Sequence, residues 1–308
     1  MAYLFGPVNS RRLGRSLGVD LIPPKTCPFD CVYCEVGPTT RKTQARADWH
    51  TGDIIRELED YLGRGGSADY ITLAGSGEPC LNLGLGRIIR AIKEMTVIPV
   101  AVLTNGALLH VPEVRRELAA VDVVLPSLDA AREETFRAVN RPLPEMSVKI
   151  ILEGLQFFRR EYLGQMWLEV MLLKGLNDGD ADLQALRRAI NSLAPDKVQL
   201  NTAVRPGTED WIEPLGPAEM AAAAAYLGAG VEVIASFSPG RAAASTSADG
   251  AFLTMLARRP MTAQDLAQAL GLPESQVLKE LRRLQTAGLV LCDLYQERGF
   301  YRSQTHLN

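Results

Sequence analysis

The sequence predicts an α/β protein: a parallel sheet covered by helices, followed by a small helix-rich module. Three observations carry this reading. From about residue 16 to 237, short apolar β-rich runs alternate with longer helical patterns, the order that sets strands side by side with right-handed crossovers. Polar residues gather where each of these runs ends, at the rim where parallel α/β folds bind ligands. Beyond residue 249 the texture changes to three short helical patterns and an alternating hairpin.

Strands are expected over 16–22, 69–74, 98–103, 122–128, 166–173 and 197–203, with a further short run at 231–236. Helices are expected over 51–64, 83–95, 111–120, 130–139, 146–161, 181–193 and 217–228. Thr51, with Asp53 soon after, opens the first helix, and Asp180 stands before the run 182–192; short polar side chains satisfy the free amides of a first turn. Gly63-Arg64-Gly65-Gly66, Pro142, Pro144 and Gly216-Pro217 punctuate the gaps. Six strand–helix units fall short of the eight in a complete barrel. Residues 240–249, GRAAASTSAD, are small and polar and read as a linker. A helix follows at 250–259; Thr262 caps a second at 263–270; Gly271-Leu272-Pro273 is a turn; 274–287 form a third, ended by Gly288; and 289–302 alternate as a hairpin around Arg298-Gly299. This order resembles a winged helix. The expected division is a barrel over 1–239, a linker over 240–249 and a winged helix over 250–308.

Composition excludes some classes. Hydrophobic residues make up 47% and charged residues 22% of the 308, as in ordinary globular proteins. No apolar run reaches the roughly 18–20 residues of a membrane span, and no secretory pattern opens the chain. Five cysteines, three of them clustered, suit a reducing compartment, so a cytoplasmic location is expected. A net charge of −3 makes no global argument for nucleic-acid binding. Locally, Arg11, Arg12 and Arg15 precede the cysteine cluster and Arg41, Lys42 and Arg46 follow it, either as anion-binding groups or as a solvated basic surface.

The densest chemical signal is Cys27-Pro28-Phe29-Asp30-Cys31-Val32-Tyr33-Cys34, three thiols at C-x3-C-x2-C spacing. Thiolates select iron–sulfur clusters, zinc or Cu(I). Structural zinc normally uses paired C-x2-C or added histidines, and His50, His110 and His306 form no pair. A 4Fe–4S cluster usually takes four thiolates, so three leave one iron open to a non-protein ligand. The segment resembles the signature of the radical S-adenosylmethionine (radical SAM) superfamily. The longer stretch 5–40 is similar to the Fe–S oxidoreductase branch related to the wyosine-base tRNA synthases. This likeness runs over about residues 5–240.

The resemblance implies a partial (β/α)6 TIM-type barrel, a 4Fe–4S cluster on Cys27, Cys31 and Cys34, and S-adenosylmethionine on the open iron. It implies an external electron donor of flavodoxin or ferredoxin type and a soluble enzyme. Gly75-Ser76-Gly77-Glu78-Pro79 resembles the second-strand element that holds the cofactor's amino group, with Gly75 and Gly77 allowing close backbone approach and Glu78 or nearby carbonyls receiving the ammonium. Ser127 and Asp129 look like fourth-strand contacts to ribose or carboxylate; Asp129 could instead cap the next helix. Asn105 reaches the cofactor or stabilises its own turn, and Phe29 and Tyr33 line the adenine pocket or pack in the core. Lys174, Asn201 and Arg205 are candidate substrate contacts. A desolvated lysine can form a Schiff base, chemistry associated with wyosine-base synthases, whereas a turn lysine stays solvated.

One departure bears on the reaction. Those tRNA synthases carry further cysteines upstream, and no cysteine precedes Cys27 here, which counts against a second cluster and the tRNA-tricycle reaction. Cys80 and Cys292 stand alone. Three functional readings follow: a radical SAM enzyme generating a 5′-deoxyadenosyl radical, with tRNA a candidate substrate; a peptide- or protein-modifying radical enzyme recruited through the winged helix; or an Fe–S-dependent DNA-binding regulator. The third tail helix carries Lys279, Arg282 and Arg283, placed to contact nucleic acid or a protein.

Overall fold

The computed structural model describes residues 3–10, 12–235 and 249–304. The chain opens with an antiparallel hairpin, β1 (Leu4–Ser10) and β2 (Gly14–Asp20). Two short parallel strands, β3 (Thr26–Cys27) and β4 (Arg41–Lys42), bracket the cysteine loop. Strands and helices then alternate: α1 (Thr51–Gly63), β5 (Tyr70–Ala74), α2 (Leu85–Met95), β6 (Val100–Thr104), α3 (Pro112–Leu118), β7 (Val123–Pro126), α4 (Glu133–Asn140), α5 (Val148–Glu161), β8 (Gln165–Leu172), α6 (Asp180–Leu193), β9 (Lys197–Thr202), α7 (Pro217–Leu227) and β10 (Val231–Val233). The sheet order is β1-β2-β5-β6-β7-β8-β9-β10, and every pairing from β2 onward is parallel. Among the described residues β1 and β10 do not pair with each other, so the barrel is partial and has a seam.

The period of two along each strand sorts side chains between two environments. On β2, Leu17 and Val19 join the core beneath the helices, with Ile71 and Leu73 of β5 and Val100 and Val102 of β6. The alternate positions, Ser16, Gly18 and Asp20, face the barrel interior, where the Ser16 and Thr72 hydroxyls meet at 2.5 Å. Arg12 and Glu169, 157 residues apart, form an ion pair.

β1 was not expected from the sequence. It contains Gly6, Pro7 and Asn9, poor strand formers, and its register shifts between Phe5 and Val8. An edge strand tolerates this, because a proline there forfeits no ladder hydrogen bond.

The C-terminal module comprises α8 (Asp249–Leu256), α9 (Ala263–Leu270), α10 (Glu274–Thr286), β11 (Val290–Tyr295) and β12 (Arg298–Ser303), the three helices and ribbon of a winged helix. The expected linker falls almost wholly outside the described residues. α8 stops short of the expected 259, which leaves Arg258 and Arg259 in the connection before Pro260, where a helical conformation is disfavoured. The hairpin turn is Gln296-Glu297, both at positive φ, 49° and 61°, rather than Arg298-Gly299. Tyr295 pairs with Arg298 across it, the geometry of a two-residue hairpin loop. Phe252, Leu266, Val277, Leu281 and Leu284 are buried in a core of their own, and Val8 of β1 packs against it.

The module is also tied to the barrel by polar contacts. The Arg258 guanidinium lies 4.2 Å from the centre of the Phe5 ring and 3.7 Å from Asp20. Asn9 donates to the Gln268 carbonyl. The Tyr295 hydroxyl at the wing reaches the carbonyl oxygens of Ile212 at 3.0 Å and Ala203 at 3.2 Å. Arg205, after β9, stands 3.2 Å from Asp265, which closes the capping box of α9 with Thr262.

This last contact has a pH signature. Burial pushes the Asp265 carboxyl up, but the Arg205 charge and the Thr262 cap lower it further, leaving it below its ordinary 3.8. A lowered folded value means that the stabilisation is complete above the unfolded pKa and fades as pH falls through the folded one. Asp265→Asn keeps an acceptor for Thr262 but removes the charge facing Arg205 and the start of α9, and is therefore expected to cost about 1 kcal/mol near neutrality. The gap to the native protein should close in titrations below pH 3.8; a gap constant across that range in thermal melts would contradict the assignment.

Candidate active site

The cysteine loop follows β2 and lies across the C-terminal ends of the strands. Its backbone is pinned to the end of α4: Val32 N–H donates to the Val139 carbonyl at 3.0 Å, and Leu143 N–H to that of Pro28 at 3.1 Å. Phe29 is buried edge-on against Phe136, ring centres 5.4 Å apart. Cys27, Cys31 and Cys34 are free thiols, each partly covered. Two of the sulfurs receive amide donors, Asn105 Nδ2 on Cys27 at 3.2 Å and Asn140 Nδ2 on Cys31 at 3.4 Å.

Burial pushes all three thiols up, with the neighbouring thiols and carboxylates (Glu78 near Cys27, Asp129 near Cys31) adding to it. Such sulfurs become thiolates only when metal binding supplies the compensating charge. Among the described residues no three His, Cys, Asp or Glu side chains converge to hold a single metal ion. Three thiols spread along one loop, two of them already hydrogen-bonded, instead suit a polynuclear cluster whose irons each take one sulfur. Hydrogen bonds to ligand sulfurs are one way proteins set cluster potential. The residues present fit the 4Fe–4S group.

The strand ends supply the rest of the rim. Gly75 has φ +137, and a Cβ there would lie 2.1 Å from Asp20 Oδ1. A Cβ on Gly77 would lie 2.1 Å from the Thr26 carbonyl oxygen, so the turn after β5 can touch the cysteine loop only with glycine at that position. Glu78 is buried and acts as a clamp. Its carboxylate accepts from Cys80 N–H at 3.0 Å, the Thr104 hydroxyl at 2.7 Å and Asn105 N–H at 2.8 Å. It thereby joins the ends of β5 and β6 and presents Asn105 to Cys27. Burial raises its pKa, only partly offset by those donors.

Asp129 is a second clamp and does not cap α4, which begins after Arg132. Its carboxylate accepts from the Tyr33 hydroxyl at 2.5 Å, Asn140 Nδ2 at 2.8 Å and Met171 N–H at 2.9 Å. Burial raises its pKa. Tyr33 is thus held by its hydroxyl, and Asn140 is fixed between Asp129 and Cys31. Asn105, Ser127 and Asp129, with Phe29 and Phe136, line one small cavity beside the loop.

The candidate substrate contacts separate. Lys174 is solvent-exposed and pairs with Glu219 of α7 at 2.8 Å, which raises its pKa; the structure does not bring it into the site. Asn201 is buried and its amide nitrogen lies 3.3 Å from Glu169 Oε1 in the barrel interior. Arg205 is partly buried between Glu35, one residue past the last cysteine, and Asp265. Asp20, Arg258 and Glu169 were not among the expected site residues. Asp20 accepts from Ser76 N–H at 3.1 Å and its hydroxyl at 2.7 Å. Their only sequence signal is an ionisable residue at an inward strand position, or one two residues before a proline. Arg12 belongs to a basic run that gives no sign of its partner.

Residues 21–186 match the radical SAM superfamily, and residues 250–300 match the sugar-specific transcriptional regulator TrmB family. A GTPase Obg of Brachyspira hyodysenteriae is 38% identical over 294 residues, 93% of this chain but 43% of that protein, so the chain spans less than half of that relative. A UPF0026 protein of Methanocaldococcus jannaschii is 36% identical over 217 residues, 70% of this chain and 67% of its own length. The fold is shared with a radical SAM methyltransferase from Sphaerobacter thermophilus (18% identity, 72% of this chain and 67% of that one, TM-score 0.57). It is also shared with TYW1 with a lysine-pyruvate adduct bound (20% identity, 72% and 75%, TM-score 0.50). With more than half of its length inside the family match and its three thiols on the loop above the strand ends, the chain belongs to the radical SAM superfamily and, within it, with the UPF0026 proteins.

Proposed function

We propose that this protein reductively cleaves S-adenosylmethionine and uses the resulting radical to abstract hydrogen from a substrate held in the barrel. The observation that carries the reading is the cysteine loop: three thiols with amide donors on two of them, clamped to the strand ends by Glu78 and Asp129. When bound, the cluster would supply one electron from an external donor to split S-adenosylmethionine into methionine and a 5′-deoxyadenosyl radical, the cofactor carrying the chemistry. Cys27, Cys31 and Cys34 would hold it. Asn105 and Asn140 orient two of the sulfurs. The glycine turn at Gly75 and Gly77 allows close approach of the backbone to the cofactor's ammonium. Phe29, Ser127 and Asp129, which line the small cavity beside the loop, are assigned to the cofactor, with Tyr33 holding Asp129 through its hydroxyl.

The test is anaerobic. The full chain is reconstituted with iron and sulfide, reduced with dithionite, given S-adenosylmethionine, and assayed for 5′-deoxyadenosine. Product is expected; its absence from a fully loaded protein would overturn the reading. Lys174→Met is expected to leave this cleavage unchanged, and borohydride is expected to trap no carbonyl adduct at that position, because an exposed, paired ammonium is not a free amine nucleophile. A trapped adduct on Lys174, found by mass spectrometry, would restore the Schiff-base alternative.

A further inference from the structure

The open seam of the barrel is closed by the winged helix. α8 and α9 pack on β1 at one edge of the sheet, while the wing and Asp265 hold the segment after β9 near the other. Behind this closure lies a cavity of about 300 Å³, at the low end of the range for small-molecule sites. It runs past Ser16, Thr72 and Gly75, and shares no residue with the small cavity lined by Asn105, Ser127 and Asp129. Among the described residues four arginines line it, Arg12 and Arg205 from the barrel side and Arg258 and Arg259 from the winged-helix side, and Met255 and Met261 complete the second wall. Glu35 is the only carboxylate among the described lining residues.

We propose that the substrate is a small molecule bearing a carboxylate or phosphate, enclosed in this cavity and held by Arg12 and Arg205 together with Arg258 and Arg259 of the winged helix. The guanidinium is a planar fork with five donors, matched to either oxyanion. The local carboxylates are close: Glu35 stands 3.4 Å from Arg205 and 3.7 Å from Arg259, and Asp20 stands 3.7 Å from Arg258. Glu35 takes a hydrogen bond from Arg205 but is partly exposed, so water can replace that bond; the other carboxylates have donors of their own. Asp20 keeps both bonds from Ser76, Asp265 keeps its cap with Thr262, and Glu169 keeps the Asn201 amide. The arginines can therefore turn to a ligand without stranding a buried charge, which is the expensive outcome. The apolar part of the lining, Phe5, Leu103 and the two methionines, leaves room for a short carbon skeleton. The winged-helix residues Met255, Arg258, Arg259 and Met261 form one side of this space. The module thus acts as a wall of the active site.

The inference rests on the function proposed above, and its test is separate from that one. Inorganic phosphate and succinate are titrated individually into the full chain by calorimetry at low salt. Saturable binding of one of them is expected, and which one identifies the phosphate or carboxylate source. Affinity should fall at least about tenfold in Arg258→Ala and in Arg259→Ala, on one wall, and in Arg12→Gln, on the other, each such step corresponding to about 1.4 kcal/mol. Arg298→Ala, exposed on the wing, should bind like the native chain. Absence of saturable binding by either anion would overturn the proposal. So would binding indifferent to the winged-helix arginines, or sensitive to them but not to Arg12. Anion binding without 5′-deoxyadenosine formation would remove the radical reading and leave the site; cleavage without anion binding would do the reverse.

Discussion

Cys31→Ala is expected to hold no 4Fe–4S cluster and to form no 5′-deoxyadenosine, while the protein itself remains folded. The thiol is only partly covered and its main partner is the Asn140 amide at 3.4 Å, so truncation removes a ligand without opening the core. Three thiolates on four irons leave one iron for the cofactor, and losing the central one of the C-x3-C-x2-C run leaves two separated sulfurs. Iron content, visible absorption and chromatography of the product measure the three expectations together. Cleavage retained in this variant would end the cluster assignment; retained iron with lost cleavage would move the role of Cys31 from holding the cluster to orienting the cofactor.

The second large effect is on stability. Asp129→Ala strands the Tyr33 hydroxyl, the Asn140 amide and Met171 N–H, all of which donate to that carboxylate. A buried unsatisfied group costs about 1–3 kcal/mol. Part of this is offset, because burial disfavours the charged carboxylate in the first place. A net loss of about 3 kcal/mol is expected, the sum of three such groups less the desolvation relieved. Chemical denaturation of the cluster-free protein measures it directly. The loosened Asn140 should also lower cluster retention, since it is the donor to Cys31. An Asp129→Ala protein as stable as the native one would show that the clamp contributes little; full stability with poor cluster retention would place Asp129 in the cofactor's own surroundings.

Much of the barrel was legible because its rules are local. A strand that alternates between core and interior, as β2 does from Ser16 to Asp20, shows that pattern in five residues. Turns at Gly216-Pro217 and the cap at Thr262 lie within a few residues of what they terminate. β1 escaped because Gly6, Pro7 and Asn9 obscure a strand that exists only through its partner β2. The wing turn was placed at Gly299 because glycine is the usual sign of positive φ, whereas here Gln296 and Glu297 carry it.

The cofactor rim divides in the same way. The cysteine spacing and the Gly75–Glu78 turn were visible as motifs. The tasks of Glu78 and Asp129 as clamps were not, since each depends on donors from other strands: Thr104 and Asn105 for one, Tyr33, Asn140 and Met171 for the other. Lys174 looked chemically able on its own and is committed to Glu219 on the surface.

By itself, then, the sequence determined the radical SAM class, the three-cysteine loop, the strand–helix order and the presence of a winged helix, because each is written in spacing or periodicity along one stretch of chain. Tertiary structure decided what packs against the open edge of the barrel. Periodicity says that Glu169 faces inward, but only barrel curvature brings Arg12 of the β1–β2 turn to it. Composition says that Arg258 and Arg259 are basic, but only the packing of the module on β1 turns them toward Asp20 and Glu35. Contacts between residues so far apart in sequence depend on the shape of the whole sheet, and an open seam is a property of that shape.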